Sequence, residues 1–283
     1  MKPIVLTFTA FFVAALSFAQ DATLYTKEDK AIFDKYALYI EPFRDQPMDV
    51  VMEKTAEFFL ETPYVAHTLE MTARETFVIN LREMDCVTFV ENVLALSVTA
   101  KSYELSFDKF MDELRKMRYR NRNIDDYASR LHYTSDWIYE NEKRGVVKNI
   151  SACLGGVKET KRINFMSTHR DAYRQLKNDD AMWWKIKAVE DSINKRSGFY
   201  YLPKQEIEKA APLIPHMSMI AFTTSIEGLD TSHVAFAYRL GDKLTFIHAS
   251  SFAGKVVIDE KTLDEYCASQ EACMGIMVVK IND

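Results

Sequence analysis

Cys86 lies in residues 82–92, where the polar turn Arg82-Glu83-Met84-Asp85 gives way to an apolar run with helical spacing. A helix N-terminus offers unpaired N–H groups and a positive dipole end, so a thiol there can ionise below its free pKa of roughly 8.5. Asp85 opposes this unless its carboxylate caps the helix. Taken alone, the stripe Cys86, Phe89, Val90, Val93, Leu94 and Ser97 suits a core cysteine better than a reactive one. Two distant histidines change that balance. Residues 232–240 alternate as a strand, Gly241-Asp242 is a two-residue hairpin turn, and residues 243–250 alternate again. If Leu240 faces Lys243, then His233 faces Ser250 and His248 faces Ala235. Both imidazoles then share one side of the sheet as diagonal neighbours, on the order of 7 Å apart at Cβ. A thiol with two histidines is a nucleophile with its base and orienting group, or a metal site. The chain has no H-E-x-x-H pattern, which weighs against zinc.

The elements that must position these groups follow from periodicity. Helices are predicted over residues 27–39, 49–60, 86–100, 107–117, 135–143, 170–177 and 182–194. Strands are predicted over 217–224, 233–240, 244–249, 255–258 and 276–281. Helices first and strands afterwards imply an α+β fold, with the Cys86 helix packed on a mainly antiparallel sheet. The 283 residues are 48% hydrophobic with eight glycines and seven prolines, which suits one compact catalytic domain over 20–283 with a helical insertion around 105–200. A net charge of -5 argues against a nucleic-acid partner. Arg115, Lys116, Arg118, Arg120 and Arg122 read as the solvated end of a helix.

Met1-Lys2, the apolar residues 4–16 and Ser17-Phe18-Ala19 form a signal-peptide pattern, with cleavage expected after Ala19. The apolar run is shorter than the roughly 20 residues that span a bilayer, so export without a stable membrane anchor is expected. Cys267 and Cys273 could pair or stay free; Cys153 reads as structural. His67, His169 and His216 read as structural too.

Thr62-Pro63-Tyr64, Asp85-Cys86 with Phe89-Val90, Ser232-His233-Val234 and Phe246-Ile247-His248-Ala249 resemble, in order, the motifs of the NlpC-type papain-like cell-wall cysteine peptidases. Residues 127–141 and 164–169 resemble the N-acetylmuramoyl-L-alanine amidase-like branch, and the likeness spans roughly residues 37–260. Glycines commonly flank the Pro-Tyr element in that superfamily; Glu61 and His67 stand there here, so its backbone geometry is not carried over. The resemblance implies a papain-like core and a hydrolase of muropeptides that needs no cofactor or metal; with the signal-peptide pattern, a periplasmic monomer is expected. Cys86 would be the nucleophile, His233 its base and His248 the orienting group, with the Cys86 N–H and the Tyr64 hydroxyl as oxyanion donors. Arg130, His132, Tyr133 and Asp136, from the stretch peculiar to the branch, would contact substrate, as would Ser232 and Ser250 beside the histidines. The same four insertion residues suit an insertion held by its own ion pairs equally well. A γ-D-glutamyl-diaminopimelate endopeptidase, a zinc hydrolase using Cys86, His233 and His248, and a catalytically silent muropeptide-binding protein are the competing expectations.

Overall fold

A computed structural model of the chain describes residues 23–282; the signal-peptide pattern lies outside them. In chain order the elements are β1 (Thr23–Leu24), α1 (Lys27–Ile40), α2 (Met48–Phe58), β2 (Phe77–Val78), α3 (Cys86–Lys101), α4 (Phe107–Arg118), α5 (Thr134–Lys143), β3 (Val147–Asn149) and β4 (Val157–Glu159). Then come α6 (Phe165–Thr168), α7 (Asp180–Asn194), β5 (Phe199–Pro203), α8 (Ile207–Ala210), β6 (Met219–Thr224), β7 (Thr231–Leu240), β8 (Lys243–Ser250), β9 (Lys255–Ile258), α9 (Leu263–Ser269) and β10 (Cys273–Ile281). The main sheet runs β4-β5-β10-β6-β7-β8-β9, with β3 also pairing β10. All its ladders are antiparallel.

Strand alternation divides the buried residues between two faces. Met219, Ala221, Val234, Phe236, Ile247 and Ala249 pack with the helices α1 to α5. Ile220, Phe222, Ala235, Ala237, Leu244 and Phe246 pack on the other face, with Ile207, Ala210, Leu263 and Cys267 of α8 and α9. A third cluster, including Tyr127, Tyr133, Ile163, Met166 and Ile186, holds the insertion together.

The central helix α3 is buried on nearly every side, from Thr88 to Ala100, rather than along a single stripe. It lies between α2, α4 and the β7–β8 hairpin, and the Phe89 ring meets Phe236 edge-on at 6.1 Å. All-round burial of this kind marks a helix at the middle of a core.

Several expectations are corrected. Residues 170–177 form only a short 3₁₀ turn, Arg170–Ala172, followed by further turns. The unforeseen strand β5 ends on Pro203, and the Leu202 carbonyl comes so close to Gly275 that a Cβ there would sit 2.0 Å from it. Arg118 is not solvated. It is 2% exposed, with Nε donating to Glu91 Oε2 at 2.7 Å and Nη1 to the Val78 carbonyl at 2.6 Å. Cys153 is an exposed free thiol, whereas Cys267 and Cys273 form a disulfide tying α9 to β10. Glu61 and His67 both adopt the left-handed backbone, with φ of 70° and 63°. That glycine-type geometry costs about 1 kcal/mol or more for each residue with a Cβ.

Candidate active site

The start of α3 is set by a reciprocal cap. Asp85 Oδ1 accepts from the Thr88 N–H at 2.8 Å, and the Asp85 N–H donates to Thr88 Oγ1 at 2.9 Å. This frees the first turn to present Cys86, which is half-buried. Tyr64 is brought alongside by two backbone ties: its N–H donates to the Gly254 carbonyl at 2.8 Å, and Val65 donates to the Met84 carbonyl at 3.1 Å. Burial, then the neighbouring Cys86 and Asp85, raise the Tyr64 phenol above its ordinary value.

The hairpin register is the expected one, with Leu240 opposite Lys243, but the β7–β8 ladder stops at Phe236 and Ile247. Its end matters for the thiol. The N–H and C=O of Ala237 bond toward β6, to Ser218 and Met217. By alternation the Val234 N–H points toward β8, where it has no ladder partner. That N–H, with those of Cys86 and Val87, faces the Cys86 sulfur and favours its ionised form. Burial outweighs them, followed in size by the Asp85 charge, and together these push the thiol up to about 12. The low thiol pKa expected from the helix dipole alone is thus reversed by desolvation.

His233 and His248 project from the face opposite α3, beyond the end of the paired ladder, and their rings meet with Nε2 of His233 2.7 Å from Nδ1 of His248. Burial holds His233 down to about 3, with the neighbouring His248 acting in the same direction. Burial likewise holds His248 down to about 4. Both imidazoles are therefore neutral at neutral pH. Tyr266 of α9 closes their outer side, its ring 6.1 Å from His233 and 6.2 Å from His248. Asp259, just past β9, brings Oδ2 to 3.4 Å from His248 Nε2.

Two clefts adjoin the centre. The larger, of about 860 Å³, is lined by His233, His248, Ser232, Ser250, Asp259 and Tyr266 among others. The smaller, of about 190 Å³, is lined by Asp85, Val87 and Thr88 of the helix start together with Arg130, His132 and Tyr133. Within it Arg130 lies 3.4 Å from Glu75 and 3.5 Å from Glu70. His132 Nε2 donates to the Tyr127 carbonyl at 2.6 Å, and Tyr133 donates to Glu190 at 2.8 Å. Asp136 lines neither cleft. It is fully buried, 2.5 Å from Arg120 and 2.6 Å from Arg196.

Sequence reasoning missed Asp259, Tyr266 and the Val234 N–H. A single Asp after a four-residue strand carries no local signal, and Tyr266 reaches the histidines through the packing of α9 on the sheet, to which the Cys267–Cys273 disulfide also ties it. Among the described residues, no group of three or more His, Cys, Asp or Glu side chains is placed to hold a metal ion. None of the described helices is long and apolar enough to cross a membrane.

The AmiA-like family, described as N-acetylmuramoyl-L-alanine amidase-like, matches residues 54–276. The fold is similar to an N-acetylmuramoyl-L-alanine amidase from Bacteroides uniformis at 37% identity and TM-score 0.78, covering 82% of this chain and 99% of that one. A Bacteroides fragilis protein provisionally called a xylanase is 36% identical at TM-score 0.76, covering 80% of this chain and 99% of that one. A Legionella pneumophila protein, 23% identical at TM-score 0.66 over 89% of this chain and 96% of its own, shares the fold. No curated protein matches this chain.

Proposed function

Because this chain belongs to the N-acetylmuramoyl-L-alanine amidase-like family, we propose that it hydrolyses the N-acetylmuramoyl-L-alanine bond of peptidoglycan fragments with Cys86 as nucleophile. The observation that carries the reading is the pair of contacting imidazoles on the hairpin whose Val234 N–H, one residue past His233, faces the Cys86 thiol at a capped helix start. With His233 Nε2 engaged by His248, the other ring nitrogen, Nδ1, is the one left to take a proton from Cys86.

A thiol pushed up to about 12 and an imidazole held down to about 3 rest as a neutral pair. The proton therefore moves to His233 as sulfur attacks the muramoyl carbonyl, not before. The Cys86 N–H and the Tyr64 hydroxyl would receive the developing oxyanion. Collapse breaks the C–N bond, and His233 returns its proton to the departing L-alanine amine. Water, deprotonated by the same ring, then cleaves the thioester to give a carboxylate and the free thiol. His248 stabilises the charged form of His233 through each transfer.

The fold and motif order support assignment to the papain-like, NlpC-type group, and the apolar N-terminal segment supports export to the periplasm. Muropeptides are the partner, with Ser232 and Ser250 lining the larger cleft and Arg130, His132 and Tyr133 the smaller. Asp136 supports that wall from within. Iodoacetamide should abolish turnover of a muropeptide while a chelator leaves it intact. Loss of activity to the chelator alone would reject the thiol reading in favour of a metal hydrolase.

A further inference from the structure

The contact between His233 Nε2 and His248 Nδ1, at 2.7 Å, admits one proton between two neutral rings, and it can sit on either side. If His233 carries it, His233 Nδ1 is a bare lone pair available to Cys86, and His248 must carry its own proton on Nε2. If His248 Nδ1 carries it, both remaining nitrogens reverse: His233 Nδ1 becomes an N–H, unable to act as a base, and His248 Nε2 becomes a bare acceptor. Whatever faces His248 Nε2 therefore decides which form exists.

What faces it is Asp259, whose Oδ2 lies 3.4 Å away. His248 is 2% exposed, and its Nε2 has no hydrogen-bond partner among the described residues. The carboxylate is itself anchored. Asp259 Oδ1 accepts from the Lys261 N–H at 2.8 Å, and its backbone N–H donates to the Phe246 carbonyl at 2.9 Å, which leaves Oδ2 for the imidazole. An ionised carboxylate only accepts, so it stabilises an N–H and repels a bare lone pair. At 3.4 Å the bond is long, a separation that commonly shortens when a catalytic site takes up its substrate.

We propose that Asp259 is a positioning residue: by holding the proton on His248 Nε2 it sets the tautomers of both histidines and leaves His233 Nδ1 unprotonated. Its consequence for turnover rests on the reading of His233 as the base for Cys86.

The test compares Asp259→Asn, Asp259→Ala and Asp259→Glu in the whole protein. Asparagine keeps the shape but can offer its NH₂ to His248 Nε2, which drives both rings into the unproductive tautomer; alanine admits water, which can accept. The isosteric variant should accordingly be the worse enzyme, losing on the order of 100-fold in kcat against roughly 10-fold for alanine, with KM little changed. Glutamate should restore most of the turnover. In ¹⁵N-histidine NMR of the resting protein, the wild type should show His248 protonated at Nε2 and bare at Nδ1, and Asp259→Asn the reverse. A merely structural role predicts the opposite order, alanine worse than asparagine. That order, or unchanged tautomers in a folded Asp259→Asn protein, would overturn the proposal. A tautomer swap with undiminished turnover would support the role of Asp259 and contradict His233 as the base.

Discussion

The hairpin and the insertion both bury polar groups, and the difference lies in which of them are paired. In the insertion, buried Asp136 has an arginine on each oxygen, and the Tyr133 hydroxyl both donates to Glu190 and accepts from the Met166 N–H at 2.8 Å. At the hairpin, His248 Nε2 is without a full hydrogen bond, and the Cys86 thiol is pushed up by burial. Buried polar groups left short of partners cost stability; the insertion has such atoms too, at Arg130, Ser135, Trp137 and Gln175, but at the hairpin the group left short is an imidazole, which can exchange a proton. The insertion is thus a scaffold for a wall of the smaller cleft. The hairpin and the helix start carry the proposed reacting groups.

Changes at the two regions should accordingly separate activity from stability. Cys86→Ala should abolish turnover, by at least about 1,000-fold, with the melting temperature almost unchanged; substantial residual activity would move the nucleophile elsewhere. Asp136→Ala should do the reverse, costing about 3–5 kcal/mol in denaturant unfolding by leaving Arg120 and Arg196 with only their longer contacts to Glu140, at 3.6 and 3.7 Å. A stable but inactive Asp136→Ala protein would show that this residue belongs to the chemistry after all. Tyr64→Phe should lower kcat by on the order of 100-fold with little effect on stability, and unchanged kcat would leave the oxyanion to backbone donors.

Acidification sharpens the contrast through titration. His132, held down to about 3 by burial and by Arg130, and His233 and His248, held down to about 3 and about 4, all protonate far more readily once unfolded, near pH 6.5. Below that value the unfolded chain binds more protons than the folded one. Stability present at pH 7 is therefore lost as the pH falls from about 6.5 toward the folded values. Urea unfolding at pH 7, 6 and 5 checks this, and a flat profile would mean that the imidazoles are not held neutral. The smallest effect is at His67, where glycine in the left-handed conformation should stabilise by about 0.5–1 kcal/mol.

Legibility in the sequence tracked whether a feature was local. The capped start of α3 and the register of the β7–β8 hairpin depend on neighbouring residues, and both stand where the spacing placed them. The state of the thiol did not follow from its position, because desolvation is set by everything packed around it and here exceeds the helix dipole. Arg118 and Arg120 looked like a solvated helix end since nothing nearby reveals Glu91 or Asp136 as their partners. Asp259 was invisible for the same reason, being brought to His248 only by the pairing of β8 with β9.

The central claim is the bond that Cys86 attacks, and mass analysis of the products from a defined disaccharide-tetrapeptide tests it most directly. Release of an intact tetrapeptide with a free L-alanine amino terminus, absent with Cys86→Ala, is the predicted result. A product cut after γ-D-glutamate, with the glycan still attached to L-alanine, would contradict it.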